Sequence, residues 1–121
     1  MATVSAARNS APPRNQLLAA LSQADLALLQ PHLRSMPMAV FKDMERPNRR
    51  IETVFFMEAG IASVVAVQPD ETRAEVGLIG REGMSGIAVV LGGDQSPHST
   101  YIQIAGGSDR SYRDRERSGA Y

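Results

Sequence analysis

From Asn15 to Leu33 the apolar positions fall at helical spacing. Leu17, Leu18 and Leu21 form one stripe, and Leu26, Leu29 and Leu33 form a second. Between the stripes stands Ser22-Gln23-Ala24-Asp25. The Ser22 hydroxyl can accept from the amide of Asp25 while that carboxylate reaches back, a capping box that starts a second helix near Ala24. Pro31 limits this helix. Met36-Pro37 ends the segment, because a proline disfavours the α conformation in the residue before it.

From Ala39 onward the pattern changes to short β-type runs between turn residues. Ala39 to Phe41 reads as a short extended piece, and the polar stretch Met44 to Arg50, with Pro47-Asn48, as a turn. Thr53-Val54-Phe55-Phe56 is a strand. Glu58-Ala59-Gly60 is a tight turn in which Gly60 suits positive φ. Ile61 to Val67 is the strongest strand, rich in β-branched residues. Pro69-Asp70-Glu71 turns the chain, and Ala74 to Ile79 pairs back. Gly80 to Gly86 is a glycine-rich loop, Ile87 to Leu91 a short helix or strand, Gly92 to Pro97 a turn, and Thr100 to Ile104 a final strand. Short strands at regular spacing with Gly/Pro turns predict a jelly-roll-like β-roll. With the two helices first, the fold class is α+β.

The ends differ from this body. Residues 1–14 are Ala-, Ser- and Pro-containing and read as a disordered lead-in, without the apolar core of a signal peptide. Residues 106–121 read as a disordered polar tail. From Gly107 on there is no Leu, Ile, Val, Phe or Met, only arginines (110, 113, 115, 117) interleaved with Asp109, Asp114 and Glu116. The domain expected to fold is 15–105.

Composition narrows the chemistry. The chain has 121 residues with 13 basic and 13 acidic side chains, so it lacks the basic surplus of a free-standing nucleic-acid binder. No cysteine is present, which excludes disulfides, Cys-ligated metals and thiol catalysis and fits a cytoplasmic setting. No apolar run approaches the roughly 20 residues of a membrane span. Two histidines, His32 and His98, do not make a metal site, and no Ser/His/Asp arrangement has motif support. Neither a catalytic residue nor a cofactor is expected. Glu58 and Glu82 read as solvated turn carboxylates.

Five phrases, in order, resemble the cyclic-nucleotide-binding-like domain of Crp/Fnr-type transcription regulators. They are Asn15-Gln-Leu-Leu-Ala-Ala-Leu, Leu28-Leu29-Gln30-Pro31-His32-Leu33, Val54-Phe55-Phe56-Met57-Glu58-Ala59-Gly60-Ile61, Glu75-Val76-Gly77-Leu78-Ile79-Gly80-Arg81-Glu82-Gly83-Met84-Ser85-Gly86 and Leu91-Gly92-Gly93-Asp94-Gln95-Ser96-Pro97-His98. The resemblance implies two N-terminal helices followed by a double-stranded β-helix. In the family a dimerisation helix and a helix-turn-helix domain come next, and a ligand in the roll shifts the balance between two dimer states.

The family's nucleotide binders carry Gly-Glu and, about ten residues on, Arg-Ser/Thr-Ala. Backbone amides and the Arg hold the cyclic phosphate, and the Glu holds the ribose. With Gly86 in the glycine position, Ile87 stands where the Glu should be and His98 near the Arg position, before Ser99-Thr100. An Ile binds no hydroxyl, and a neutral His lacks the guanidinium fork. A second register, Gly80-Arg81-Glu82, supplies both charges too close together. The candidate ligand-binding residues are therefore Gly80, Arg81, Glu82, Gly83, Gly86, Ser99 and Thr100. The competing reading makes the glycines turn residues only.

The expected partner is a small-molecule effector other than cAMP. Neither membrane nor, for this chain alone, DNA is expected. The family pattern stops near Ala105, which predicts a roll incomplete at its C-terminus, an open strand edge, and no dimer helix. Two other readings are a non-functional truncated fragment and a stand-alone cupin-like roll binding a small molecule or metal.

Overall fold

The computed structural model describes residues 12–113. Two helices lead, α1 (Gln16–Ala19) and α2 (Gln23–Leu29). Both begin where a side chain satisfies their first free amides. The Asn15 carboxamide oxygen accepts from Leu17 and Leu18 at 3.0 and 3.1 Å, and the Ser22 hydroxyl accepts from Asp25 at 3.1 Å. A 3-10 turn, Gln30–His32, carries Pro31 in its first turn.

The strands follow as β1 (Leu33–Met38), β2 (Asp43–Glu45), β3 (Thr53–Phe56), β4 (Ile61–Val67) and β5 (Arg73–Ile79). After them come a short helix α3 (Ile87–Val90), β6 (His98–Ile104) and β7 (Gly107–Arg113). They form two antiparallel sheets, ordered β1-β7-β3 and β2-β6-β4-β5. This is the expected α+β roll.

The core has two halves, and β3 explains why. Val54, Phe55 and Phe56 are all buried, an unusual run for an alternating strand. Phe55 joins Met38, Met44, Met57, Ala62 and Ile102 in one cluster. Val54 and Phe56 join Leu18, Leu33 and Ile51 in the other, with Leu26 and Leu29 of α2 and Ala88 and Val89 of α3 packed against it. Helices therefore cover the outer face of β3 while the roll interior covers the inner one.

Three expectations are corrected. Met36-Pro37 does not end an ordered segment: it lies inside β1, an edge strand, where a missing N–H is tolerated. Ala39 to Phe41 is not extended, since Phe41 takes φ 69° in the turn before β2. The largest correction concerns the polar tail. Gly107–Arg113 is the central strand β7, bonded to β1 on one side and β3 on the other, so the three-stranded sheet has its closing strand. Its ordering is supported by two ladders of backbone hydrogen bonds and by buried polar contacts rather than by apolar burial.

Gly106, read as the start of that tail, sits at a close crossing. A Cβ there would lie 2.3 Å from the Gly60 nitrogen, so only glycine lets the turn between β3 and β4 touch the turn between β6 and β7. Residues 1–11 of the expected lead-in and 114–121 of the expected tail lie outside the described residues. Pro12 and Arg14 hydrogen-bond into the roll. Among the described residues no helix is long and apolar enough to cross a membrane.

Candidate functional site

The region matched to the phosphate cassette is built around α3. Gly86 precedes it with φ 73°, and a Cβ there would lie 2.5 Å from Val54 Cγ1, so glycine is required by both conformation and space. Ala88 and Val89 pack inward, while Ile87, Val90 and Leu91 are 56%, 64% and 80% exposed. The amide of Gly86 is not free for a ligand: it donates to the carboxylate Oε1 of Glu45, on β2. Glu45 also pairs with Thr100 across the β2–β6 ladder. Glu45 thus links the turn before α3 to strand β2, which pairs with β6. Ser99 is next along β6, buried and opposite Val65 of β4.

His98 opens β6. Its Nδ1 lies 3.3 Å from the Ser96 hydroxyl, which also accepts from the His98 amide at 3.1 Å. Ile87 carries no hydrogen-bonding or charged group, and the Glu45 carboxylate lies on the amide at the start of α3.

The other candidates lie elsewhere. Gly80, Arg81, Glu82 and Gly83 form the turn after β5. Gly80 donates to the Glu82 carboxylate at 3.1 Å, so Glu82 closes its own turn. The Arg81 carbonyl accepts from Gln16 at 2.7 Å, and the Gly83 carbonyl accepts from Asn15 Nδ2 at 2.8 Å. These backbone groups anchor α1. The seven candidates therefore divide between a helix anchor and a cassette.

A buried polar clasp was not foreseen. Glu58 is 7% exposed rather than solvated. Its Oε1 accepts from Arg110 Nε at 2.7 Å, and its Oε2 accepts from the amides of Arg14 and Asn15 at 2.5 and 2.9 Å. Asn15 is fully buried and also donates to the Met57 carbonyl at 2.8 Å. The Asp109 carboxylate accepts from the amides of Glu58 and Ala59 at 2.8 and 3.3 Å. Burial pushes the Asp109 carboxyl above its usual range, against the pull of those two amides, and the nearby Glu58 charge adds to the rise. The one available signal was the alternation Asp109-Arg110-Ser111, which reads as tail only if its charges are assumed to be solvated.

Among the described residues no group of three His, Asp or Glu side chains is placed to hold a metal ion. The His32 ring meets Tyr112 edge-on at 6.3 Å instead.

No protein-family model and no curated protein sequence matches the chain. Solved structures do. A regulatory subunit of a cAMP-independent protein kinase A from Trypanosoma brucei, in a mutant form bound to cAMP, superposes with a TM-score of 0.70 at 15% identity, covering 83% of this chain and 36% of that one. The catabolite activator protein of Thermus thermophilus gives 0.66 at 12% identity, covering 86% and 48%. The N-terminal domain of a transcriptional regulator from Streptomyces coelicolor A3(2) gives 0.68 at 13% identity, covering 88% and 73%. The chain has the fold of these regulatory domains, and it spans about a third to a half of the length of the first two.

Proposed function

We propose that this chain is the sensor domain of a Crp/Fnr-type transcription regulator, acting in the cytoplasm, whose effector is a small molecule other than cAMP or cGMP. The observation that carries the reading is the state of the cassette. A roll of the nucleotide-sensor type presents Ile87 and His98 in place of charged ligands, and the Glu45 carboxylate already holds the Gly86 amide. The exposed side chains of Ile87, Val90 and Leu91 support the same reading, since they form an apolar face of the kind a dimerisation helix covers in the family. The role is regulatory rather than enzymatic. The balance of 13 basic and 13 acidic residues gives the chain by itself no electrostatic hold on DNA.

Titration calorimetry of the folded chain with cAMP and cGMP tests the proposal. No saturable heat is expected at ligand concentrations up to about 1 mM. Micromolar affinity for either nucleotide overturns it.

A further inference from the structure

The two sheets have four edges, β1 and β3 in one and β2 and β5 in the other. Three of them carry something that stops a further strand from adding. β1 contains Pro37, which has no N–H to give. β3 is met by the turn before α3: Phe56 bridges to Met84, the Phe55 amide donates to the Ser85 hydroxyl at 3.0 Å, and the Phe55 carbonyl accepts from the Ser85 amide at 2.9 Å. β2 is only three residues long, and Asp43 and Arg46 pair beside it at 3.3 Å.

β5 has none of these three guards. It runs seven residues, Arg73–Ile79, without a proline, and among the described residues its backbone pairs with β4 alone. Residues 73–76 are all exposed. The register shift opposite Val64 and Val65 leaves Val76 with no partner on β4, so the unbroken part of the edge is Arg73-Ala74-Glu75. Opposite charges flank Ala74. Arg73 makes no ion pair among the described residues. Glu75 uses Oε2 to accept from the Ser63 hydroxyl at 2.8 Å, which leaves Oε1 for a cation.

We infer that β5 is a self-association edge, where two copies add β5 to β5 antiparallel about a two-fold axis at Ala74. In that register Arg73 faces Glu75 of the partner subunit, and Glu75 faces Arg73 of the partner subunit, so both charges are matched twice. Moving the axis by one residue either way sets Arg73 against Arg73 or Glu75 against Glu75, which like-charge repulsion disfavours. Thr72 then faces Val76 of the partner subunit, a cross-strand pair of β-branched side chains. The two four-stranded sheets become one, in the order β2-β6-β4-β5-β5-β4-β6-β2. A second copy is the favoured occupant because this edge supplies both halves of the charge pattern itself. The contact is short, so the dimer is weak, with a Kd on the order of 100 µM.

The test combines sedimentation velocity with amide spectra of the labelled full chain from about 20 µM to about 2 mM. The native chain is expected to associate over this range, with the amides of residues 72–76 shifting. Glu75→Arg alone and Arg73→Glu alone are each expected to weaken association at least tenfold. An equal mixture of these two variants, and the chain carrying both substitutions, should associate again as the native chain does. Ala74→Lys leaves the Ser63–Glu75 bond in place, sets lysine against lysine at the axis, and should abolish association, which covers the case of a charge variant that fails to fold. A native chain that stays monomeric at about 2 mM, shifts that map to Ile87, Val90 and Leu91 in place of β5, an Ala74→Lys variant that associates like the native chain, or a mixture no tighter than its components would each overturn the proposal.

Discussion

The clasp around Glu58 and the cassette around Gly86 treat charge in opposite ways. In the clasp a carboxylate and a guanidinium are withdrawn from water together, with side-chain exposures of 8% and 1%, and the carboxylate is filled by backbone amides as well. Around Gly86 the fold brings together a glycine, a helix start and strand β6, and an internal carboxylate takes the leading amide. The first region uses polar chemistry to hold α1, β7 and the turn between β3 and β4 in place. The second leaves Ile87, Val90 and Leu91 exposed beside a glycine whose amide is held by Glu45.

Breaking the clasp should have the largest effect. Glu58→Ala removes the carboxylate that accepts from the Arg110 guanidinium and from the amides of Arg14 and Asn15. We expect a loss of about 3–5 kcal/mol in urea unfolding. Replacing both partners by apolar residues, Glu58→Leu with Arg110→Met, should recover much of that loss, because it withdraws both buried charges together. If the double replacement is as damaging as the single one, the ion pair itself is stabilising.

Asn15→Ala is expected to cost about 2 kcal/mol in the same assay. It removes a helix cap and leaves the buried Met57 carbonyl without its donor. A loss below half of that would place the burden on Glu58 alone.

Asp109→Asn should have the smallest effect and a distinctive pH profile. The native carboxyl titrates above its ordinary value of 3.8, so its contribution to stability is full below that value and falls as pH rises through the folded-state pKa. Asparagine does not ionise, and its oxygen can still accept from Glu58 and Ala59. Relative to the native chain, the variant should gain stability over that rise and hold the gain at neutral pH. Unfolding curves from about pH 3 to about pH 7 check this. A variant that loses ground as pH rises would reverse the assignment.

The hairpin of β4 and β5, strand β3 and the Ser22 cap were legible because each is written in a short window: β-branched runs, a Pro-Asp turn, a hydroxyl three residues before an amide. β7 was not, because its inward positions are Asp109 and Arg110. Their partner Glu58 lies 51 and 52 residues away, a separation that no local pattern spans. β1 was hidden by Pro37, which signals a stop unless the strand is known to be an edge. In the cassette, the substitutions Ile87 and His98 could be read by spacing. The carboxylate on the Gly86 amide could not, since Glu45 reaches it across 41 residues. Nor could spacing tell that the carbonyls of Arg81 and Gly83 accept from Gln16 and Asn15 at the start of α1.

The most direct measurement is the amide resonance of Gly86 during addition of cAMP to the labelled chain. If Glu45 holds that amide and no charged ligand stands at Ile87 or His98, the Gly86 and Ile87 resonances stay in place up to about 1 mM nucleotide. A saturable shift at those two amides, with the remainder of the spectrum intact, would contradict the account.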